Sequence, residues 1–184
     1  MIRPRPLRAE DARPLLEINA AATPGVAVLD SLELTRLMGL SDRHLVAANG
    51  NDVCGYALVF RESGAYDGEE FEAFRGALEG APFLYIDQVA VGEAHRGCGI
   101  GRLLYDAIDR QGCADGVDWL CCEVNISPPN PGSSAFHARM GFHALRRMQT
   151  ADRREVDLLA RRLDGPYRSS FSAVSQAPHD TERT

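Results

Sequence analysis

"HRGCGIGRLLYDAI", residues 95–108, sets three glycines at every second position directly before a run with the apolar spacing of an amphipathic helix. A glycine inside a helix costs up to ~1 kcal/mol relative to alanine, so propensity does not account for three at a start. Two explanations stand. One is a tight turn from strand to helix, and the other is a cradle in which backbone N–H groups at a helix N-terminus face an anion. Upstream, "FLYIDQVAV" (83–91) reads as a buried strand, and downstream "VDWLCCEVN" (117–125) reads as another, with a helix between them through about Arg110. A strand, a crossover helix and a second strand favour parallel pairing through a right-handed connection.

Working outward, "IRPRPLR" (2–8) reads as a short first strand, irregular or at an edge because of its prolines. Residues 9–21 follow with helical spacing of Leu15, Leu16 and Ile18, and "SLELTRLMGL" (31–40) makes a second short helix. Residues 43–61 form a hairpin turning at Asn49-Gly50-Asn51-Asp52. Residues 61–81 are a long acidic insertion with a helix near "EEFEAFRGAL", and they read either as a solvated loop or as a lid. After the proline-rich link "SPPNPG" comes "SSAFHARM", a short helix closed by Gly141, and then a hairpin from "FHALRRMQT" and "REVDLLARRL". One domain over residues 1–163 is expected, and from Asp164 onward scarce large apolar residues predict a loose tail.

The chain of 184 residues is 45% hydrophobic and 25% charged, the composition of a soluble globular protein with one well-buried core. Its net charge of -6, with no basic stripe carrying interleaved aromatics, disfavours a nucleic-acid partner. No apolar run approaches the ~20 residues needed to span a bilayer, and "MIRPRPLRAED" lacks the apolar centre of a signal peptide; a cytoplasmic protein without membrane partners is expected. The 5 cysteines are odd in number and lack CxxC spacing, which disfavours a disulfide framework and a metal site and suits buried thiols in a reducing compartment. All 20 basic residues are arginine, so mechanisms that need a lysine Schiff base or a P-loop lysine are excluded.

The same absence narrows the anion that the glycines could hold. A P-loop needs Gly-Lys-Ser/Thr. A dinucleotide fingerprint needs Gly-x-Gly-x-x-Gly, yet counting from Gly97 its last position falls on Arg102, and from Gly99 on Leu104. What remains is Arg96-x-x-Gly99-x-Gly101 after a strand, which resembles the pyrophosphate-binding motif of the GNAT superfamily of N-acetyltransferases, Gln/Arg-x-x-Gly-x-Gly/Ala. A second segment of that superfamily, Asn-x-x-Ala/Ser-x-x-Phe/Leu-Tyr-x-x-x-Gly-Phe, is matched in register by Asn130, Ser133, Phe136, Gly141 and Phe142.

The resemblance covers roughly residues 2–163 and implies an α/β (α+β) fold. That fold has a twisted, mixed but mostly antiparallel sheet of about seven strands flanked by about four helices. Strands 83–91 and 118–125 would pair in parallel and then splay. It also implies acetyl-coenzyme A as co-substrate. Its pyrophosphate would be wrapped by the backbone from Gly97 through Cys98, Gly99, Ile100 and Gly101 to Arg102, after Arg96, with the helix end adding ~0.3–2 kcal/mol. Val89, Ala90 and Val91 would offer backbone groups to the pantetheine, with Asn130 and Phe136 also at the cofactor, although Val89 and Val91 equally suit the core and Asn130 equally suits a helix cap.

The implied chemistry begins with a proton. An amine of pKa ~10.4 is ammonium at neutral pH, and its free base costs about 4.6 kcal/mol at pH 7. Asp87 and Glu123 are the carboxylates on the two central strands where these should separate; Glu123 is preferred because "CCEVN" ends at the expected splay, and a structural hydrogen-bonded carboxylate is the alternative for each. The superfamily's usual tyrosine, a donor to the departing thiolate, is replaced by His137, which suits a general acid, a cofactor hydrogen bond or simple packing. The acceptor is expected to be a primary amine of a small molecule or peptide, with homodimer formation left open. A coenzyme-A-binding sensor with little turnover is the competing function.

Overall fold

The structure is a computed structural model and describes residues 1–163. β1 (Arg3–Pro6) leads through a 3-10 turn (Ala9–Asp11) into α1 (Ala12–Ala22) and α2 (Ser31–Leu40). The hairpin of β2 (Leu45–Asn49) and β3 (Asp52–Arg61) is followed by α3 (Glu69–Ala77), β4 (Phe83–Val91), α4 (Ile100–Asp115) and β5 (Trp119–Ser127). α5 (Pro131–Arg139), β6 (His143–Gln149) and β7 (Glu155–Arg162) complete the order. The strands form one 7-stranded sheet in the order β1-β2-β3-β4-β5-β7-β6. Every neighbouring pair is antiparallel except β4 and β5, which the crossover through α4 forces to be parallel.

Alternation along the central strands divides the core in two. On one face Tyr56, Phe83, Tyr85 and Cys121 meet Leu15 and Ile18 of α1, Leu34 and Leu37 of α2, and Phe71 and Phe74 of α3. On the other, Leu84, Ile86, Leu120 and Cys122 meet Ile100, Leu104, Tyr105 and Ile108 of α4. α2 begins where the Asp30 carboxylate accepts from the Glu33 N–H at 2.8 Å, and α4 stops at Gly116 with φ of +68°.

The strands, the parallel pair and the helix expected near residues 69–78 match the expectation from sequence, whereas two details differ. That helix, α3, makes the 61–81 insertion part of the core instead of a solvated loop: Phe71 and Phe74, three positions apart on one helix face, are fully buried against Phe83 and Tyr85. The helix after the glycines runs to Asp115 rather than about Arg110. The expected tail from Asp164 lies outside the described residues. Among the described residues no helix is long and apolar enough to cross a membrane, and Cys54, Cys121 and Cys122 are buried free thiols, with Cys98 exposed.

Candidate active site

β4 and β5 run paired only from Phe83↔Trp119 to Ile86↔Cys122. Beyond that point each follows its other neighbour. Val89, Ala90 and Val91 stay paired to Ala57, Tyr56 and Gly55 of β3, while Glu123 onward stays paired to β7. The side of β4 that faces β5 therefore presents backbone donors and acceptors with no strand partner from Asp87 to Val91. A cavity of about 240 Å³ occupies the fork, lined by Asp87, Val89, Glu123 and Asn125 of the strands. Gly25–Ala27, Tyr66, Glu70, Tyr105, Asn130, Ser133, His137 and Arg154 close it from the surrounding elements. Asn19 fixes one wall, donating to the Ala27 carbonyl at 2.9 Å and to Gln88 Oε1 at 3.1 Å while accepting from the Leu29 N–H at 2.9 Å.

At the start of α4, Gly97 and Gly99 have φ of +76° and +78°. That region costs an L-residue ~1–2 kcal/mol, so two of the three glycines are required by backbone shape. A Cβ on either would meet nothing within 4 Å, which leaves open space above the turn. At Gly101 a Cβ would sit 3.5 Å from the Phe136 ring, an ordinary contact, so nothing within the chain itself demands glycine there. Gly99 is the N-cap of α4 and makes no side-chain capping bond; the first-turn N–H groups are left to solvent or to an anion, with the positive end of the helix behind them. Arg96 and Cys98 are exposed on this turn, and Arg102 lies 4.0 Å from Asp106. The Ile100 side chain is buried in the α4 core, so only its backbone faces outward. Asn130 caps α5, accepting from the Ser133 N–H at 3.2 Å, and also lines the cavity.

The structure brings Asp87, Glu123 and His137 to the one cavity. Asp87 and Glu123 are the first residues past the last β4–β5 pair and so project to the α1–α3 side, opposite to the neighbouring Ile86 and Cys122. Tyr66 donates to Asp87 Oδ1 at 2.6 Å, and Tyr85 donates to Glu123 Oε2 at 2.6 Å. Burial pushes Asp87 up to about 6, with the Tyr66 hydrogen bond opposing and Glu70 adding to the rise. Burial, then the charge of Asp87, push Glu123 up to about 8 against the Tyr85 hydrogen bond. The two carboxyls titrate as a pair above the usual carboxylate range.

His137 lies on the α4 side of the fork. Its Nδ1–H donates to the Ser133 carbonyl at 2.9 Å, and its Nε2 accepts from the Tyr105 hydroxyl at 2.5 Å. Because a carbonyl only accepts, Nδ1 carries a hydrogen in this arrangement, and the buried surroundings favour the neutral ring, whose Nε2 then accepts from Tyr105. Burial pushes the His137 pKa down, opposed by the Ser133 bond. Of the roles open to His137, a general acid, a cofactor hydrogen bond or packing, its burial and its two hydrogen bonds favour the latter two, with the Tyr105 hydroxyl beside it.

Tyr66, Tyr85, Tyr105 and Arg154 line or support the site and were not picked out from sequence. Tyr85 shares its strand face with Asp87 two residues on, a signal that alternation offers once a splay is assumed. Glu70 comes from the acidic 61–81 insertion, whose charge suits a cationic amine in the lid reading, whereas Arg154 reaches the cavity from a distant segment that no local pattern announces.

A family model for the Acetyltransferase (GNAT) family matches residues 14–142, more than half of the chain. No curated protein matched the chain in sequence. Among solved structures, Ard1 from Thermoplasma volcanium superposes with a TM-score of 0.71 at 16% identity, covering 88% of this chain and 97% of its own. The ribosomal-protein-S18-alanine N-acetyltransferase from Escherichia coli gives 0.65 at 16% identity, covering 93% and 99%. The structure of yncA from Salmonella typhimurium with acetyl-CoA gives 0.63 at 20% identity, covering 93% and 99%. At these identities the likeness is one of fold, and together with the family match and the forked parallel pair it leads to one conclusion: this chain belongs to the GNAT family of acetyltransferases.

Proposed function

We propose that the chain moves an acetyl group from acetyl-coenzyme A directly to a primary amine of a small molecule or peptide. The observation that carries this reading is the fork itself, which joins an open glycine turn at a helix N-terminus, an unpaired strand edge and two carboxylates around one cavity. Residues 1–163 make up the catalytic unit, and the free cysteines suit the reducing cytoplasm to which we assign it.

The parts fit the cofactor. The space above Gly97 and Gly99 and the uncapped first turn of α4 suit a pyrophosphate, and the free edge of Asp87–Val91 suits amide groups of a pantetheine arm. Acetyl-coenzyme A supplies an activated acetyl thioester when bound. Glu123 accepts a proton from the acceptor ammonium, directly or through a water, which supplies the neutral nucleophile. Its raised pKa brings it closer to that of the amine, the direction that favours a general base. An ammonium entering between Asp87 and Glu123 offsets their mutual repulsion and restores the charged form of the base. On the opposite side of the fork, Tyr105 and His137 form a polar pair beside the cofactor path.

The test is a thermal-shift titration with acetyl-coenzyme A combined with release of free thiol in the presence of primary amines. Binding with amine-dependent thiol release is expected. A thermal shift with no amine-dependent release over the whole panel would instead mark a binding protein without turnover.

A further inference from the structure

The insertion does more than fill the core. α3 crosses to the turn between β6 and β7, where both carboxylate oxygens of Glu69 accept from the Ala151 N–H at 2.8 and 3.1 Å. One residue on, Glu70 is only 8% exposed and accepts from Arg154 Nη2 at 3.1 Å. The same guanidinium donates to Asn125 Oδ1 on β5 at 3.1 Å and to Asp152 at 2.7 Å. Glu70, Arg154 and Asn125 all line the cavity, and Gly25–Ala27 of the α1–α2 connection stand among its other walls. α3, the β6–β7 turn and β5 are thereby bolted together across the side of the fork that carries Asp87 and Glu123.

From this bolt we propose that the acceptor is a compact small-molecule primary amine that enters the cavity whole, and that Glu70 and Arg154 are the specificity-determining residues that exclude peptide N-termini. The proposal rests on the acetyl-transfer reading above. A peptide amine brings a continuing backbone that needs an open path away from the carboxylates, and the bolt spans that side. The cavity, about 240 Å³, is also smaller than the ~300 Å³ at which pockets for drug-sized ligands begin. The charge of Arg154 is taken up by Glu70 and Asp152, which leaves Asp87 and Glu123 to face the incoming ammonium.

The experiment compares kcat/KM for butylamine, 1,4-diaminobutane and phenethylamine with that for decapeptides bearing free alanine or methionine N-termini. The intact chain is expected to favour at least one compact amine over every decapeptide by 100-fold or more. Arg154→Ala and Glu70→Ala are expected to narrow that ratio at least 10-fold by raising peptide use, whereas Arg154→Lys narrows it less. Wild-type use of a decapeptide on a par with the best compact amine overturns the proposal and leaves amine transfer standing. So does an unchanged ratio in folded alanine variants. If a variant does not fold, the wild-type comparison alone decides. Acetyl-coenzyme A binding without acetylation of any amine or peptide overturns acetyl transfer, and this proposal with it.

Discussion

Gly99 separates two demands that the opening stretch places on the same atom. Its φ of +78° penalises any side chain by ~1–2 kcal/mol, yet a Cβ there meets nothing within 4 Å of the free protein. Gly99→Ala and Gly99→Glu should therefore lower the melting temperature of the free protein by a similar amount. For a domain of this size ~1 kcal/mol corresponds to about 2–4 °C, so the fall is about 2–8 °C. Acetyl-coenzyme A at a hundredfold excess over its Kd stabilises the wild type by ~2.7 kcal/mol, or about 5–11 °C. Glutamate puts a like charge where the pyrophosphate is proposed to sit and should abolish that ligand-induced rise, while alanine keeps part of it. Gly101→Ala is the control: it has no positive φ and only an ordinary contact with Phe136, so the free protein should melt no lower than wild type. Differential scanning fluorimetry with and without acetyl-coenzyme A reads all three. A folded Gly99→Glu variant with the full wild-type rise would refute the cradle, and an unchanged melting temperature for free Gly99→Ala would refute the left-handed turn.

Glu123→Gln should lower kcat by ~100-fold or more, the scale of general base catalysis, with acetyl-coenzyme A affinity near wild type; a loss below threefold rules it out as the base. The base acts deprotonated, so activity rises with pH through the apparent pKa of the pair. Tyr85→Phe removes the hydrogen bond that lowers the Glu123 pKa and should move this limb to higher pH, while Asp87→Asn removes a repelling charge and should move it lower. Opposite shifts in a pH profile of kcat/KM would invert the assignment. His137, neutral and bonded at both nitrogens, should not act as an imidazolium acid: kcat of His137→Ala should stay above about a third of wild type where chemistry limits turnover, and a 100-fold fall restores the acid role. His44 is buried, with Nε2 bonded to the Leu37 carbonyl at 2.9 Å and Nδ1 accepting from the Val59 N–H at 3.0 Å, and burial lowers its pKa. The unfolded chain then takes up the proton first, so wild type should lose stability relative to His44→Gln as pH falls below about 6.5 in chemical denaturation; a constant difference from pH 8 to 5 contradicts a buried neutral ring.

The strand, helix and turn order was legible because each element carries its own pattern: short apolar runs in 83–91 and 117–125, helical spacing in 100–110, and glycines where the backbone turns left-handed. The crossover helix fixed the parallel pair, the glycine spacing excluded a dinucleotide site, and the absence of lysine excluded a P-loop. Asp87 and Glu123 could be picked out because they are the carboxylates on the two central strands where these separate. Residues 61–81 were misleading: most of their acidic side chains, Asp67, Glu69, Glu72 and Glu79, are exposed and mask Phe71 and Phe74, whose burial depends on Phe83 and Tyr85 beyond the end of the helix. The closure of Glu70 on Arg154 joins residues 84 positions apart, and the pairing of Tyr105 with His137 joins residues 32 apart. No local pattern specifies such contacts, because they arise only when separate elements dock on opposite faces of one sheet. The sequence by itself thus determined the elements, their order and the glycine turn ahead of α4, which depend on neighbouring residues. Tertiary structure alone decided how far the strands part, which side of the fork each titratable group occupies, and whether His137 is free to carry a proton, since each depends on what distant segments bring against it.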